Sequence, residues 1–143
     1  MRNVSSLFLA ILLGVWLAGC QSRPALSILQ AWARPAASGE NSAVYFVIDN
    51  PTADDEALLA AGTEIAGQVE LHMSMMSEGS TMTMHPQELV NVPAKSRVEF
   101  KPGGLHVMLI GLKQELKVGD HFTLRLKFQR AGEIAVDVEV KQP

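Results

Sequence analysis

Cysteine is almost absent from this sequence: its 143 residues contain only one, Cys20. A single thiol excludes an internal disulfide. Cys20 lies near the N-terminus, directly after an apolar run, and the chain after it has no thiol. A domain without cysteine cannot build a blue-copper electron-transfer centre, because such a centre requires a cysteine thiolate.

Basic charge is also scarce, with 12 lysines and arginines against 15 acidic residues and a formal net charge of -3. A nucleic-acid-binding protein would normally carry a basic patch, so we expect no nucleic-acid partner. Serine, histidine and aspartate residues occur, but at no spacing that indicates a hydrolase. We therefore expect a protein that is not an enzyme.

The sequence has one long apolar run, residues 4–17, and it is too short for a transmembrane helix, which needs about 20 apolar residues. Arg2 precedes the run and Leu-Ala-Gly-Cys, ending at Cys20, follows it, which is the pattern of a signal peptide with a small-residue cleavage site. The last four residues resemble a bacterial lipobox. We predict a signal peptide over residues 1–19, a lipidated Cys20 with a short tether over residues 20–27, and a folded domain over residues 28–143. An ordinary signal peptide followed by an unmodified cysteine is the alternative.

The folded domain shows no long helical period and instead consists of short β-rich runs separated by turns. Residues 122–128 and 134–140 alternate between apolar and polar side chains, and the segment between them has the composition of a hairpin turn. Residues 56–61 fit either a strand or a helix. The other predicted strands are 28–34, 42–49, 65–73, 81–88, 97–101, 105–112, 121–129 and 134–141. This pattern predicts an all-β fold, an antiparallel Greek-key β-sandwich of about eight strands.

Methionine and histidine are concentrated in one part of the chain. Residues 71–108 hold six of the seven methionines and three of the four histidines. Thioethers and imidazoles together suit Cu(I), whereas hard cations prefer oxygen ligands. Side chains alternate along a strand, so His106 and Met108 should project from one face with Cα atoms roughly 6.5 to 7 Å apart. By the same alternation, His72 should share an outward face with Glu70 while Met73 points inward.

Residues 77–80 can turn the chain back, which would place Met82 and Met84 on one face of the following strand and Thr83 and His85 on the other. Two other interpretations are open at this point. A His-x-Met pair in an apolar strand is often core packing, because methionine fills gaps in protein cores. Exposed methionines can also form an apolar patch for a protein partner, which would indicate a structural or assembly lipoprotein with a Met-rich binding loop.

The spacing of these residues resembles the signature of the periplasmic copper chaperones known as PCuAC proteins. That signature is a His, often followed by Met, then ten residues, a Met, twenty-one residues and His-x-Met. His72 and Met73, then Met84, then His106 and Met108 match it without a gap. Segments 31–35, 43–46, 92–94 and 101–109 resemble the same family.

The resemblance implies a cupredoxin-like β-sandwich that binds one Cu(I) through His72, Met84, His106 and Met108. It also implies a location in the bacterial periplasm, where the lipid would hold the protein at a membrane. The expected role is to deliver or buffer copper, and the expected partner is a copper-accepting protein such as a cytochrome c oxidase subunit or another copper chaperone. The signature does not settle the role of four further methionines, which are candidates for additional metal ligands: Met73, Met75, Met76 and Met82.

Overall fold

The computed structural model describes residues 24–77 and 79–142, so the predicted signal peptide and the lipidation site at Cys20 lie outside the described residues. Every regular element in the described residues is a β-strand, and none is a helix that could cross a membrane. The ten strands are β1 (Ser27–Ala33), β2 (Ser42–Asn50), β3 (Glu56–Gly62), β4 (Ala66–Met76), β5 (Met82–Pro86), β6 (Val90–Val92), β7 (Ser96–Phe100), β8 (Leu105–Leu112), β9 (His121–Phe128) and β10 (Gly132–Val140).

The all-β prediction is confirmed, and each predicted strand is present. The segment that fitted either a strand or a helix forms β3. The prediction missed β6, which has only three residues. It also ended β4 at Met73, whereas the strand continues to Met76.

The strands form one sheet in the order β5-β4-β8-β7-β2-β1-β10-β9-β3-β6, in which β8 also pairs with β2. All pairings are antiparallel except those of β1 with β10 and of β7 with β8. The sheet folds over itself, so that β3 lies against β4 and one hydrophobic core fills the space between its two halves. This arrangement is the predicted sandwich, made from a sheet that is continuous at β1.

A bulge makes that continuity possible. The register of β1 against β2 shifts between Leu29 and Trp32, and Gln30 within this interval has a positive φ of 55°. A bulge bends its strand and increases its twist. The first half of β1 therefore pairs with β2, and its end at Trp32 and Ala33 also pairs with β10.

The hydrophobic core buries the side chains on one face of β4 and β8, and this fixes which side chains lie on the other face. Leu71, Val107 and Leu109 are buried in the core. Because strand side chains alternate, the neighbours of these residues, including His72 and His106, project away from the core. The same hydrophobic pattern that closes the sandwich thus sets the orientation of the candidate ligands.

Candidate metal centre

The register of β4 with its two neighbours places the four candidate ligands on one face of the sheet. His72 lies directly opposite His106 on β8, and Glu70 lies opposite Met108. On the other side of β4, Ser74 lies opposite Met84 of β5. Directly opposed residues of an antiparallel pair project to the same side. This is the outer face, as alternation predicted for His72, and His106 and Met108 share it, as their spacing predicted.

This outer face is not open to solvent at the two histidines. The His72 side chain is 13% exposed, and His106 is 3% exposed. Pro86 of β5 lies opposite His72, and the Tyr45 ring of β2 has its centroid 6.5 Å from that of His106. The prediction that His72 faces outward is therefore right about the face, but neighbouring strands shield the imidazole.

A cleft of about 490 Å³ opens beside His106. Met84 and Met108 line it together with His106, and Tyr45 forms part of its wall. His72 does not line the cleft, but its ring centroid is 5.7 Å from that of His106. A metal lies about 2 Å from an imidazole nitrogen, so two rings that bind one ion have centroids roughly 5 to 6 Å apart. The spacing of the two rings fits a shared ion.

His106 is held in one tautomer by its own turn. Its Nδ1 lies 3.0 Å from the carbonyl oxygen of Gly104. A carbonyl only accepts hydrogen bonds, so Nδ1–H is the donor and Nε2 carries the lone pair. Nε2 is buried and has no hydrogen-bond partner. A buried acceptor without a partner is costly, and a lone pair held in this way is what a metal ligand requires.

His72 shows the same pattern with the two ring nitrogens exchanged. Its Nε2 lies 2.7 Å from Oε2 of Glu70, and an ionised carboxylate only accepts, so Nε2–H is the donor. The other nitrogen, Nδ1, is buried and has no partner. Carboxylates commonly orient metal-binding imidazoles in this way. Glu70 lies on the face of His72, as alternation predicted, but its hydrogen bond to His72 was not predicted, although the i, i+2 spacing of the two residues was a usable signal.

The electrostatic surroundings keep His106 neutral. Burial lowers the pKa of His106, and the nearby His72 and Arg34 lower this pKa further, against the opposite effect of the Gly104 hydrogen bond. Arg34 lies in the wall of the same cleft, with its guanidinium carbon 5.8 Å from the centroid of the Tyr45 ring. The lone pair of His106 is therefore free for a metal at neutral pH.

A metal site built only from histidine, cysteine and carboxylate side chains is not found in the parts of the chain that the structure describes. No three side chains among histidine, cysteine, aspartate and glutamate come close enough together there to hold a metal ion. The typical structural zinc site uses four cysteine or histidine ligands. The donors that do converge are imidazoles and thioethers, which favour a soft ion.

The four further methionines divide between the two faces of the hairpin formed by β4 and β5. Met82 lines the cleft, and its Cε lies 3.5 Å from the position that a Cβ would take at Gly103. Met76 is opposite Met82 in the register and shares its face. By alternation, Met73 and Met75 project from the reverse face, so neither can complete the ligand set in the cleft.

Comparison with known protein families matches residues 26–140 to the family described as "Putative lipoprotein LpqE-like". A putative lipoprotein of Leifsonia xyli subsp. xyli is 28% identical over 116 residues, which cover 81% of this chain and 69% of that protein. An uncharacterized protein of Rickettsia prowazekii is 28% identical over 120 residues, covering 81% and 66% respectively. The chain thus spans about two thirds of the length of these relatives.

Solved structures of copper-binding proteins are similar to this chain in fold. The copper-bound PCuAC domain from PmoF2 is 25% identical, with a TM-score of 0.69 over 82% of this chain and 93% of that domain. The solution structure of the Cu(I) form of DR1885 from Deinococcus radiodurans is 29% identical, with a TM-score of 0.60 over 87% and 83%. The resemblance to PCuAC proteins and the cupredoxin-like fold are therefore confirmed.

Proposed function

We propose that this chain, which belongs to the LpqE-like family of putative lipoproteins, is a Cu(I)-binding carrier of the PCuAC type and not an enzyme. One observation carries the proposal: two buried imidazole nitrogens, His72 Nδ1 and His106 Nε2, have no hydrogen-bond partner and lie on one face of the sheet with two thioethers. The copper-bound PCuAC domain and the Cu(I) form of DR1885 support the choice of metal.

The proposed ligands are His72 through Nδ1, His106 through Nε2, and the thioethers of Met84 and Met108. All four donors are neutral, so the loaded site has a net charge near +1 before its surroundings are counted. A thioether needs no deprotonation and cannot be lost to a disulfide in an oxidising compartment. Neutral imidazole and thioether ligands also hold copper without the strength of a thiolate cage, which favours release to an acceptor that contains cysteine.

The metal preference provides the direct test. We expect the purified protein to bind one Cu(I) tightly and Zn(II) poorly, because zinc sites are built from thiolates, imidazoles and carboxylates and rarely use thioethers. Titrations in competition with a chromogenic chelator for each metal would measure both affinities. A preference for Zn(II), or the absence of Cu(I) binding, would overturn the proposal.

The proposed setting is the bacterial periplasm, where the lipid at Cys20 would hold the domain at a membrane. There the protein would pass copper to, or buffer it for, a copper-accepting protein such as a cytochrome c oxidase subunit or another chaperone. The family description and the Leifsonia relative, both putative lipoproteins, support lipid attachment. The exposure of Met84, 53%, gives an incoming acceptor access to one ligand of the site.

The lipid anchor is tested by Cys20→Ser. Because acylation requires the cysteine thiol, we expect this variant to lose radiolabelled fatty acid and to move from the detergent phase to the aqueous phase in a phase-separation assay. Ser5→Ala, in the predicted signal peptide, is a matched control that keeps the cysteine. Unchanged detergent partitioning of Cys20→Ser would refute the lipidation proposal without affecting the copper proposal.

A second candidate function is favoured by the exposure of methionines on the hairpin. Met75, Met76, Met82 and Met84 are each more than half exposed. Such a patch could bind a protein partner without any metal. The Cu(I) titration separates the two functions, since a protein-binding patch alone gives no stoichiometric copper binding.

A further inference from the structure

The hairpin of β4 and β5 has a reverse face, turned away from the cleft, that carries its own set of soft donors. Met73 lies directly opposite His85, and Met75 lies directly opposite Thr83. Residues in direct register share a face, so an imidazole and two thioethers project from this side. Diagonal neighbours on two strands are roughly 7 to 8 Å apart, a gap that long side chains can close. Met75 can therefore reach a point shared with His85 and Met73.

One nitrogen of the His85 ring is already engaged by a neighbouring hydroxyl. Its Nε2 lies 3.2 Å from Oγ1 of Thr83, and that oxygen lies 3.3 Å from the carbonyl oxygen of Met75. Thr83 has a single hydroxyl hydrogen, which it donates to the carbonyl, so Nε2–H of His85 is the donor to Oγ1. The lone pair of the ring then lies on Nδ1. This is the pattern found at His72 and His106, where one ring nitrogen is tied and the other is left free to bind.

The reverse face is accessible from solvent. His85 is exposed, Met75 is 56% exposed, and Met73 is half-buried. Three donors at an exposed position should bind Cu(I) more weakly than four donors around buried imidazoles, because water competes for the ion. The chemistry of the three donors is nevertheless that of a Cu(I) site.

We propose that the reverse face of the hairpin is a second, weaker Cu(I) site formed by Nδ1 of His85 and the thioethers of Met73 and Met75. The proposal extends the copper function proposed above, because it assigns a second ion to the same protein. Its ligands share no residue with the cleft site. An ion held at this exposed position would be the first that a partner could remove.

The experiment is a Cu(I) titration followed by NMR of the methionine methyl groups, with parallel competition against a chromogenic chelator. In the unmodified protein we expect two Cu(I) per chain, with the Met84 and Met108 methyl signals shifting at the first equivalent and those of Met73 and Met75 at the second. The double variant Met75→Leu with His85→Ala should bind one Cu(I) with unchanged tight affinity. Met76→Leu with His121→Ala is the matched control, since it removes an exposed thioether from the opposite face of the hairpin and an exposed imidazole from β9.

The outcomes separate this inference from the cleft proposal. Saturation at one Cu(I), with no shift of the Met73 and Met75 signals, would overturn the second site and leave the cleft site standing. Retention of two Cu(I) by the Met75→Leu, His85→Ala variant would also overturn it. If the unmodified protein binds no Cu(I) tightly and only the Met73 and Met75 methyl signals shift, the cleft proposal is overturned instead.

Discussion

Replacement of His106 by alanine is expected to lower the Cu(I) affinity by more than about a hundredfold. Loss of a residue that only orients a metal ligand typically costs 10- to 100-fold in affinity, and loss of the ligand itself should cost more. His106 is the central donor of the proposed site, because its ring adjoins that of His72 and lines the cleft with Met84 and Met108. Competition titration of the variant against a Cu(I) chelator measures the change.

The fold should survive this substitution. His106 is buried, so alanine removes packing contacts, but it also removes an imidazole nitrogen that is buried without a partner. An unsatisfied buried polar atom costs about 1 to 3 kcal/mol, which offsets much of the packing lost in the metal-free protein. His121→Ala is the matched control, because the His121 imidazole is exposed and pairs with Asp137 on β10, outside the candidate metal centre. Loss of cooperative unfolding in His106→Ala, with copper binding retained, would mean that His106 is structural.

Most of the fold prediction rested on the alternation of apolar and polar side chains along the strands. In β9 every second residue is buried, a pattern visible in the sequence itself. The same alternation identified the face shared by His106 and Met108. Alternation does not identify β6, because a three-residue strand is too short to show a period. The place of β6 in the sheet depends on its pairing with β3. Alternation also ended β4 too early, because residues 74–76 are extended by their pairing with β5, which lies later in the chain.

Burial at the site could not be predicted, because it depends on strands that are distant in sequence. Alternation placed His72 on the outer face, but Pro86 and Tyr45 shield the two imidazoles, and they come from β5 and β2. The tautomer of His106 depends on the carbonyl of Gly104, whose orientation follows from the turn into β8. The pairing of β1 with β10 requires the bulge at Gln30, a residue that gives no sequence signal for a positive φ. The spacing of the candidate ligands is therefore visible in the sequence, whereas the burial of the two imidazoles and their unpartnered nitrogens depend on the fold.

The largest expected effect on stability is that of Glu56→Ala. Glu56 begins β3 and is 8% exposed, and its carboxylate accepts hydrogen bonds from the backbone N–H groups of Ala57, Arg130 and Ala131 at 2.9, 2.9 and 2.7 Å. These bonds tie the turn between β9 and β10 to β3. Each donor left unsatisfied and shielded from water costs about 1 to 3 kcal/mol. We expect the free energy of unfolding at pH 7, measured by urea denaturation, to fall by roughly 2 to 5 kcal/mol, since water can reach some of the freed donors.

The loss should depend on pH in a direction that the structure fixes. Burial tends to raise the pKa of Glu56, but the hydrogen bonds from the backbone outweigh it and lower the pKa below its ordinary value. A carboxyl whose folded pKa is lowered stabilises the protein above its unfolded pKa, about 4.3 for glutamate. That contribution is lost as the pH falls through the folded pKa. The difference in the free energy of unfolding between the unmodified protein and Glu56→Ala should therefore be full at pH 7 and shrink below about pH 4.

Glu88→Ala, which removes an exposed carboxylate, is the control and should change stability little at either pH. A Glu56→Ala difference that stays constant down to pH 3 would show that the ionised carboxylate is not what holds the turn to β3.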